Sequence, residues 1–451
     1  MSRIATLALR LGVADFSTSK ATTTILNDVD TLINIENAFG SAGNDTFIMN
    51  GTDNVANTIN GGTSGIDTIS YANYTTKVTV NLGATDGINT VKTGDTDTIL
   101  NIENLIGGSA GDELTGNDQN NQITGGAGAD TIHSSRGTDI INGSTSAADI
   151  DIMDYSNRNN GITLSTSGST YTITKTDDSN SVDTLTNIEV INGTTFVDIM
   201  DGGTGNDTFN AGLGNDSLTG GAGNDRLNGG AGDDTLSGDL GNDILDGGSK
   251  LTDGDTVTYE SRTEKVIVNL DNSGNATVIV GVSGESDTLI DIENIAGSTV
   301  DDDITGNDSV NTLFGMSGND TLKGEGGNDY IDGGLGDDII YGGAGSDALK
   351  GNRGADTFIQ TVGETTGDNI DGGSETDGTR GNDTVNYSAF SSAAGIKVSL
   401  NDTSLANVTI GSNVSDHTLT NIENVIGSSG TDTIEGDTAN NSLNGLSGTN
   451  D

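Results

Sequence analysis

Single apolar residues recur at every ninth position over long stretches of the chain, each flanked by polar or small residues. In the uninterrupted run at 193–246 these positions include Phe209, Leu218, Leu227, Leu236 and Leu245. One apolar residue between two polar ones fits a three-residue strand that turns one side chain inward and two outward. Segments rich in Gly, Asn and Asp, which are typical of turns, separate these strands. The pattern predicts an all-β chain with these apolar residues in its core.

The repeat reads G-G-x-G-x-D-x-U-x, where U is a large apolar residue. Arrays of this unit cover 107–142, 193–246 and 297–359, another begins at Gly427 and decays, and a single copy covers Gly40–Ile48. Its sixth position is acidic at Asp45, Asp112, Asp130, Asp139, Asp198, Asp207, Asp216, Asp225, Asp234, Asp243, Asp302, Asp320, Asp329, Asp338, Asp347, Asp356 and Asp432. Asparagine replaces it at Asn121, Asn311 and Asn441.

A second pattern fills the segments between arrays. A strand ending in tyrosine comes first, at Tyr71, Tyr155, Tyr259 and Tyr387, and we expect these rings to pack at strand ends. An alternating strand such as Val266–Leu270 follows, and an acidic–apolar stretch such as Thr288–Asn294 closes the block. The predicted organisation is 1–106 (first block plus degenerate repeats), 107–142 (array), 143–192 (block), 193–246 (array), 247–296 (block), 297–359 (array), 360–426 (block) and 427–451 (truncated array).

Two nine-residue units form one coil of a solenoid, so residues 18 apart stack about 4.8 Å from one another. Blocks and arrays change length without losing register, as expected when coils of a quasi-one-dimensional fold are added or removed. We therefore predict a right-handed parallel β-roll or β-helix built on nonapeptide repeats. Separate domains joined by flexible linkers are the alternative.

The two ends of the sequence show no polar capping repeat, and we expect the chain to be part of a longer protein. Leu7, Leu9 and Leu11 alternate and predict a strand at Met1–Ala14. Arg10 interrupts what would be the apolar stretch of a signal peptide, so export by an N-terminal signal is not expected.

The net charge of the chain limits the classes of molecule that it is expected to bind. There are 67 acidic and 17 basic residues, a formal net charge of −50. Nucleic acids and anionic membranes are unfavourable partners for such a surface, whereas cations are favourable ones. No apolar run is long enough to span a bilayer. Cysteine and proline are absent, which excludes disulfides and thiolate sites and suits a chain made of sheet and tight turns.

The sixth-position aspartates are predicted to stack into columns. Asp302, Asp320, Asp338 and Asp356 align on one side, and Asn311, Asp329 and Asp347 align opposite them. Two charged carboxylates at this spacing repel by about 3–4 kcal/mol at an effective dielectric near 20. Several such pairs exceed the roughly 5–15 kcal/mol by which a domain is stable, so we expect a cation between the coils.

Carboxylates of successive coils, together with turn carbonyls, offer about six oxygens in a flexible cage, which suits Ca²⁺ better than Mg²⁺. Transition metals favour His or Cys, and only His133 and His417 exist. The predicted carbonyl ligands are Gly203, Gly205, Gly212, Gly214, Gly221, Gly223, Gly230, Gly232, Gly334, Gly336, Gly343 and Gly345. For the three asparagines, neutral ligand and turn-capping residue both stay open.

The nonapeptide arrays resemble the repeats of RTX (repeats-in-toxin, haemolysin-type) proteins, which include haemolysins, secreted metalloproteases and lipases, adhesins and surface-layer proteins. The resemblance implies several bound Ca²⁺ ions, type I secretion and folding outside the cell. Family members often carry a catalytic module, but H-E-x-x-H is absent, as is a G-x-S-x-G elbow in a strand-to-helix setting. We therefore expect no enzymatic activity.

Two functions are consistent with these features. The first is a calcium-stiffened structural or adhesive module that is secreted or held at the cell surface, with cell-surface glycans or other surface proteins as its partners. The alternative is a polysaccharide-binding or processing β-helix module that carries RTX repeats, for which a groove lined with Asp, Tyr and Arg would be required.

Overall fold

The computed structural model describes residues 14–15, 22–24, 29–33, 37–40, 42–49, 56–84, 87–92, 95–144, 146, 148–282, 284–362, 366–373, 381–391, 395–401, 405–411 and 413–447. Within these ranges the regular secondary structure consists of β-strands alone, as predicted. The residues Leu7, Leu9 and Leu11, on which the N-terminal strand was predicted, lie outside them. The chain divides into two compact units, Met1–Leu218 and Thr219–Asp451.

The first unit contains these strands: β1 (Ala14–Asp15), β2 (Thr22–Thr24), β3 (Val29–Ile33), β4 (Asn37–Phe39), β5 (Thr46–Ile48), β6 (Thr58–Asn60), β7 (Thr68–Ser70), β8 (Thr79–Asn81), β9 (Ile88–Lys92), β10 (Asp95–Leu100), β11 (Asn104–Ile106), β12 (Glu113–Thr115), β13 (Gln122–Thr124), β14 (Thr131–His133), β15 (Ile140–Asn142), β16 (Ile152–Asp154), β17 (Ile162–Ser167), β18 (Thr170–Lys175), β19 (Ser181–Thr186), β20 (Val190–Asn192), β21 (Ile199–Asp201) and β22 (Thr208–Leu213). Strand β23 (Ser217–Ala222) includes the boundary between the units.

The second unit contains β24 (Arg226–Ala231), β25 (Thr235–Leu240), β26 (Ile244–Ser249), β27 (Thr256–Thr258), β28 (Val266–Asn269), β29 (Ala276–Val280), β30 (Glu285–Ile290), β31 (Asn294–Ala296), β32 (Asp303–Thr305), β33 (Thr312–Phe314), β34 (Thr321–Gly326), β35 (Tyr330–Leu335), β36 (Ile339–Ala344), β37 (Ala348–Arg353), β38 (Thr357–Ile359), β39 (Asn369–Asp371), β40 (Thr384–Asn386), β41 (Ile396–Ser399), β42 (Ala406–Ile410), β43 (Asn413–Thr420), β44 (Asn424–Ile426), β45 (Thr433–Glu435) and β46 (Ser442–Asn444).

Within the arrays, successive strands alternate between two parallel sheets. In the second unit β33, β35 and β37 pair in one sheet, and Thr312, Tyr330 and Ala348 are consecutive partners across it. Strands β32, β34 and β36 pair in the other sheet. The first unit repeats this order with β11, β13 and β15 on one side and β12, β14 and β16 on the other. Each coil therefore consists of two nine-residue units, and the fold is a parallel β-roll.

One apolar side chain per repeat forms the core. Phe209, Leu218, Leu227, Leu236 and Leu245 are each at most 1% exposed, which confirms their predicted packing role. Full burial of such a side chain contributes about 1.5–3 kcal/mol. Because the two sheets face each other across one apolar residue from each strand, the core is narrow, in keeping with the low apolar content of the chain.

The 143–192, 247–296 and 360–426 blocks each insert an antiparallel meander into a parallel sheet. In the 143–192 block, β17, β18 and β19 pair antiparallel in sequence, while β19 pairs parallel with β15 and β17 pairs parallel with β21. Strands β28, β29 and β30 do the same between β26 and β32 in the 247–296 block. Because the outer strands of the meander run in the direction of the sheet, the coils on both sides stay in register.

Candidate metal-binding columns

The sixth-position aspartates stack as predicted, because within an array a carboxylate accepts the backbone N–H of its equivalent one coil earlier. In the second unit Oδ1 of Asp320, Asp338 and Asp356 accepts a backbone hydrogen bond of 2.7, 2.8 and 2.9 Å from the preceding member. All 17 predicted aspartates are buried, at 3% exposure or less. The close turn that brings each side chain against the previous coil therefore removes it from solvent.

This hydrogen bond uses only one carboxylate oxygen. Oδ2 is buried and has no hydrogen-bond partner in a set of column aspartates from both units: Asp130, Asp243, Asp320, Asp329, Asp338 and Asp347. A buried carboxylate oxygen without a donor costs about 1–3 kcal/mol, and more when the group is charged. The interior coils of the arrays therefore present acceptor oxygens that a cation can satisfy.

A turn carbonyl lies beside two of these oxygens, those of Asp320 and Asp329. A Cβ on Gly315 would fall 2.4 Å from the carbonyl oxygen of Gly333 and 2.5 Å from Oδ2 of Asp320. A Cβ on Gly324 would meet Asp329 Oδ2 at 2.1 Å and a carbonyl oxygen of the next coil at 2.5 Å. Only glycine leaves this space between a carboxylate and a carbonyl of adjacent coils. Both are the hard oxygen ligands that Ca²⁺ takes.

The predicted glycine ligands adopt turn conformations that L side chains rarely reach. Their φ angles lie between 81° and 157° at every predicted glycine except Gly232. The carbonyl oxygens of Gly230 and Gly336 lie 2.2 and 1.9 Å from the positions that a Cβ would take on Gly248 and Gly354, one coil further along. These carbonyls therefore point along the roll, toward the space between coils.

No three His, Cys, Asp or Glu side chains within the described ranges converge so as to hold a metal ion by themselves. Side chains of the columns therefore do not complete a coordination shell, and a cation between coils would also need backbone carbonyls. The column aspartates with a partnerless Oδ2, together with the turn carbonyls, fit a calcium ion in composition. Such an ion would supply the positive charge that links the carboxylates of successive coils.

Burial changes the protonation of the columns. Burial raises the pKa of Asp338 to about 8. The hydrogen bond from the N–H of Asp320 lowers this pKa, and neighbouring carboxylates raise it. Burial likewise raises the pKa of Asp320 and Asp329 to about 7. Burial therefore disfavours charge on all column aspartates at once, which the predicted repulsion between stacked carboxylates assumed. Without a cation, part of the repulsion is relieved by bound protons, which a cation has to displace.

The first aspartate of each array is different from those in the interior. Oδ1 of Asp302 accepts the N–H of Val266 at 2.7 Å, and Oδ2 accepts the N–H of Ser298 at 2.5 Å. The same two-sided pattern occurs at Asp112, Asp198 and Asp432. These four predicted ligands use both oxygens, one to cap a turn and the other to join the array to the block before it.

The asparagines are turn-capping residues. Oδ1 of Asn311 accepts the N–H of Asn307 at 2.8 Å, and its Nδ2 donates to the carbonyl of Glu293 at 2.7 Å. Asn121 and Asn441 make the same two bonds. An aspartate cannot donate to that carbonyl, which explains the amide. The structure thus shows the turn-capping role, and the role as a neutral ligand stays a prediction.

The columns also continue through the blocks, which the sequence analysis missed. The N–H of Asp243 donates to Oδ1 of Asp287 at 3.0 Å, and the N–H of Asp255 donates to Oε2 of Glu293 at 2.9 Å. Equivalent bonds to a block glutamate begin at Asp67, Asp151 and Asp383. A signal was present, because most of these aspartates stand two residues before a buried apolar residue, as in the repeat itself.

Buried tyrosines of the blocks donate hydrogen bonds to carboxylates of these columns. Tyr155 and Tyr259 are at most 1% exposed, and their hydroxyls donate to Oδ2 of Asp183 and Asp287 at 2.9 and 3.0 Å. Tyr71 and Tyr387 are equally buried. The predicted packing role is confirmed for all four rings.

Comparison with known proteins agrees with this geometry. The family model described as RTX calcium-binding nonapeptide repeat (4 copies) matches residues 106–141, 185–218, 192–227, 219–249, 305–340, 324–358 and 422–451. A comparison with curated proteins finds no match. Among solved structures, the extracellular lipase LipA from Serratia marcescens is similar at 18% identity, over 64% of this chain and 43% of the lipase chain, with a TM-score of 0.15. A TM-score this low supports no statement about the present chain.

Proposed function

Because the chain is an RTX nonapeptide-repeat protein, we propose that it is the calcium-binding repeat region of a type I secreted protein. In this proposal it folds on Ca²⁺ outside the cell or at the cell surface, and its role is structural or adhesive. The observation that carries the calcium part is the set of buried Oδ2 atoms without a hydrogen-bond donor, two of which, in Asp320 and Asp329, lie beside a carbonyl of the adjacent coil.

The charge of the chain supports folding after export. A net charge of −50 opposes compaction through self-repulsion, and the columns place part of that charge in the interior. In a calcium-poor cytosol the chain would stay open and able to cross a secretion channel. At the roughly millimolar calcium that extracellular modules bind, cation binding would favour the folded roll.

A structural or adhesive role, without catalysis, is supported by how the described residues are used. The aspartates, glycines and apolar residues of the repeats serve stacking, turns and core, and the buried tyrosines serve the columns. In the part of the chain that the structure describes, no helix is long and apolar enough to cross a membrane. Burial of the four block tyrosines makes their rings inaccessible for stacking on a polysaccharide.

The proposal is tested by removing metal with EDTA and titrating the whole chain with CaCl₂ while recording far-UV circular dichroism. We expect strand signal to appear with Ca²⁺ at millimolar concentrations or below, and not with the same concentrations of MgCl₂. A complete strand signal at neutral pH before any metal is added would contradict calcium-dependent folding. Protease treatment of intact producing cells, with detection of the cleaved chain, tests the extracellular location.

A further inference from the structure

One lysine side chain lies entirely inside the roll. Lys175, the last residue of β18, has a side chain that is 0% exposed. Its Nζ donates to Oδ1 of Asp183 at 2.6 Å, to the carbonyl oxygen of Ser135 at 2.9 Å and to Oδ2 of Asp139 at 3.5 Å. A buried ammonium requires such compensation, because taking a charge out of water costs several kcal/mol.

These three oxygens are the kinds that the columns present at other coils. Asp139 is a sixth-position aspartate, and Ser135 is the second residue of the same nonapeptide. Asp183 is the next member of the column, since its Oδ1 also accepts the N–H of Asp139 at 3.1 Å. The ammonium thus meets two stacked carboxylates and a turn carbonyl, the donor set that elsewhere fits a calcium ion.

We infer that Lys175 is a built-in cation that replaces a calcium ion between Asp139 and Asp183, so that this step of the column needs no metal. The inference rests on the proposed calcium-binding function and adds to it which step of the column is independent of calcium.

The 247–296 block provides a matched comparison. Ile173 pairs with Asp183 in the first meander, and Val278 pairs with Asp287 in the second. Two residues further on, Lys175 therefore corresponds to Val280, which is 0% exposed.

The column at that second step has no internal ammonium. Asp287 keeps the same two donors as Asp183, the N–H of the preceding aspartate and a tyrosine hydroxyl. Oδ2 of Asp243, however, is buried without a hydrogen-bond partner. The equivalent oxygen of Asp139 accepts bonds from Ser135 Oγ and from the ammonium. In the block without the lysine, Oδ2 of Asp243 therefore remains available for another cation.

Arginine does not account for the difference, because both blocks have one. Arg158 and Arg262 each stand three residues after the block tyrosine, and each donates from Nη1 to the second-position carbonyl of the preceding nonapeptide. Their carboxylate partners are Asp177 and Glu285. The arginine is therefore matched between the blocks. Two residues near the column oxygen differ: Val280 stands in place of Lys175, and Asp239 stands in place of Ser135, whose Oγ also donates to Asp139 Oδ2.

Reciprocal substitutions test the inference. We expect K175V to bind one more Ca²⁺ per chain than the wild type in equilibrium dialysis, and V280K to bind one fewer. In EDTA at neutral pH, K175V should have less strand signal than the wild type, and saturating CaCl₂ should restore it. K175M, which keeps more of the side-chain volume, should behave as K175V does.

If folded K175M and folded V280K both bind the same number of Ca²⁺ per chain as the wild type, the inference is overturned. It is also overturned if calcium does not restore the strand signal of K175V and V280K binds the same number of Ca²⁺ as the wild type. A wild-type chain that binds no calcium would instead refute the proposed function. A wild type that binds calcium, with variants that bind the same number, refutes only the role of Lys175.

Discussion

The backbone N–H of Asp320 donates a 2.8 Å hydrogen bond to Oδ1 of Asp338, the equivalent residue one coil further along. This bond fixes the carboxylate of Asp338 against the preceding coil and leaves its Oδ2 buried without a hydrogen-bond partner. One interaction therefore both stacks the coils and prepares an oxygen for a cation. Its repetition along the arrays explains why a chain with a narrow core and no disulfide can form a regular fold.

Replacing Asp338 with asparagine should weaken calcium binding. D338N keeps an oxygen for the N–H of Asp320 but removes the charged oxygen, so we expect roughly a tenfold loss of calcium affinity at this coil, about 1.4 kcal/mol. Calorimetric titration measures it. D337N is the matched control, because Asp337 is exposed and its Oδ1 accepts an N–H that an asparagine oxygen also accepts. Equal losses in both variants would contradict a specific role for Asp338.

The metal-free chain should gain structure as the pH falls from about 9 to about 6. The pKa of Asp338 is raised to about 8 and that of Asp329 to about 7, from an ordinary value of 3.8. A carboxyl whose pKa is raised by folding stabilises the folded state below its ordinary pKa, and this contribution is lost as the pH rises through the folded value. The gain is therefore expected to begin as the pH falls through about 8 and to continue toward the ordinary value of 3.8.

Circular dichroism in EDTA across the range from about pH 9 to about pH 6 measures that gain. With calcium present, protons and cations compete for the same oxygens, so the calcium concentration at half-saturation should rise as the pH falls. Strand signal in EDTA that decreases on acidification from pH 9 to 6 would show that buried column carboxyls do not control the stability of the metal-free roll.

Two neighbouring glycines should respond oppositely to alanine. A Cβ on Gly333 would lie 2.2 Å from Oδ2 of Asp338, so G333A should destabilise the folded chain by about 1–3 kcal/mol and weaken calcium binding. A Cβ on Gly326 would meet nothing closer than 3.4 Å, and its partner in the next coil is already Ala344. G326A should therefore be neutral or stabilising by up to about 1 kcal/mol. Thermal unfolding in saturating calcium distinguishes the two variants. Similar shifts for both would show that the space between Gly333 and the Asp338 carboxylate is not required.

The glutamate that closes each block should be structural. Oε2 of Glu293 accepts the N–H of Asp255 at 2.9 Å in a partly buried position. E293A leaves that N–H without its acceptor and should lower the free energy of unfolding by about 1–3 kcal/mol. E293Q retains an acceptor oxygen and should lose less than half as much. Chemical denaturation in saturating calcium measures both, and equal losses would indicate that the charge of Glu293, rather than its hydrogen bond, matters.

Much of the fold could be predicted from residues such as Leu227 and Asp338, because their environment repeats every 18 residues. A residue in a coil is surrounded by its own equivalents, so the period alone places the apolar side chains in the core and the aspartates in columns. The spacing of the arrays and the glycines of the turns then indicate oxygen ligands and a hard cation. These predictions depend only on the local, repeated sequence of the arrays and do not require knowledge of how the blocks fold.

Only the tertiary structure decided which column members have an oxygen to offer. Asp302 and Asp338 occupy the same place in the repeat, yet Asp302 bonds to a meander strand 36 residues earlier and Asp338 does not. The buried place of Lys175 depends on how β18 folds back between β17 and β19. The repeat period by itself determined that carboxylates stack. Where the meanders meet the coils, partners distant in sequence determine whether a hydrogen-bond donor, an ammonium or a metal ion can neutralise them.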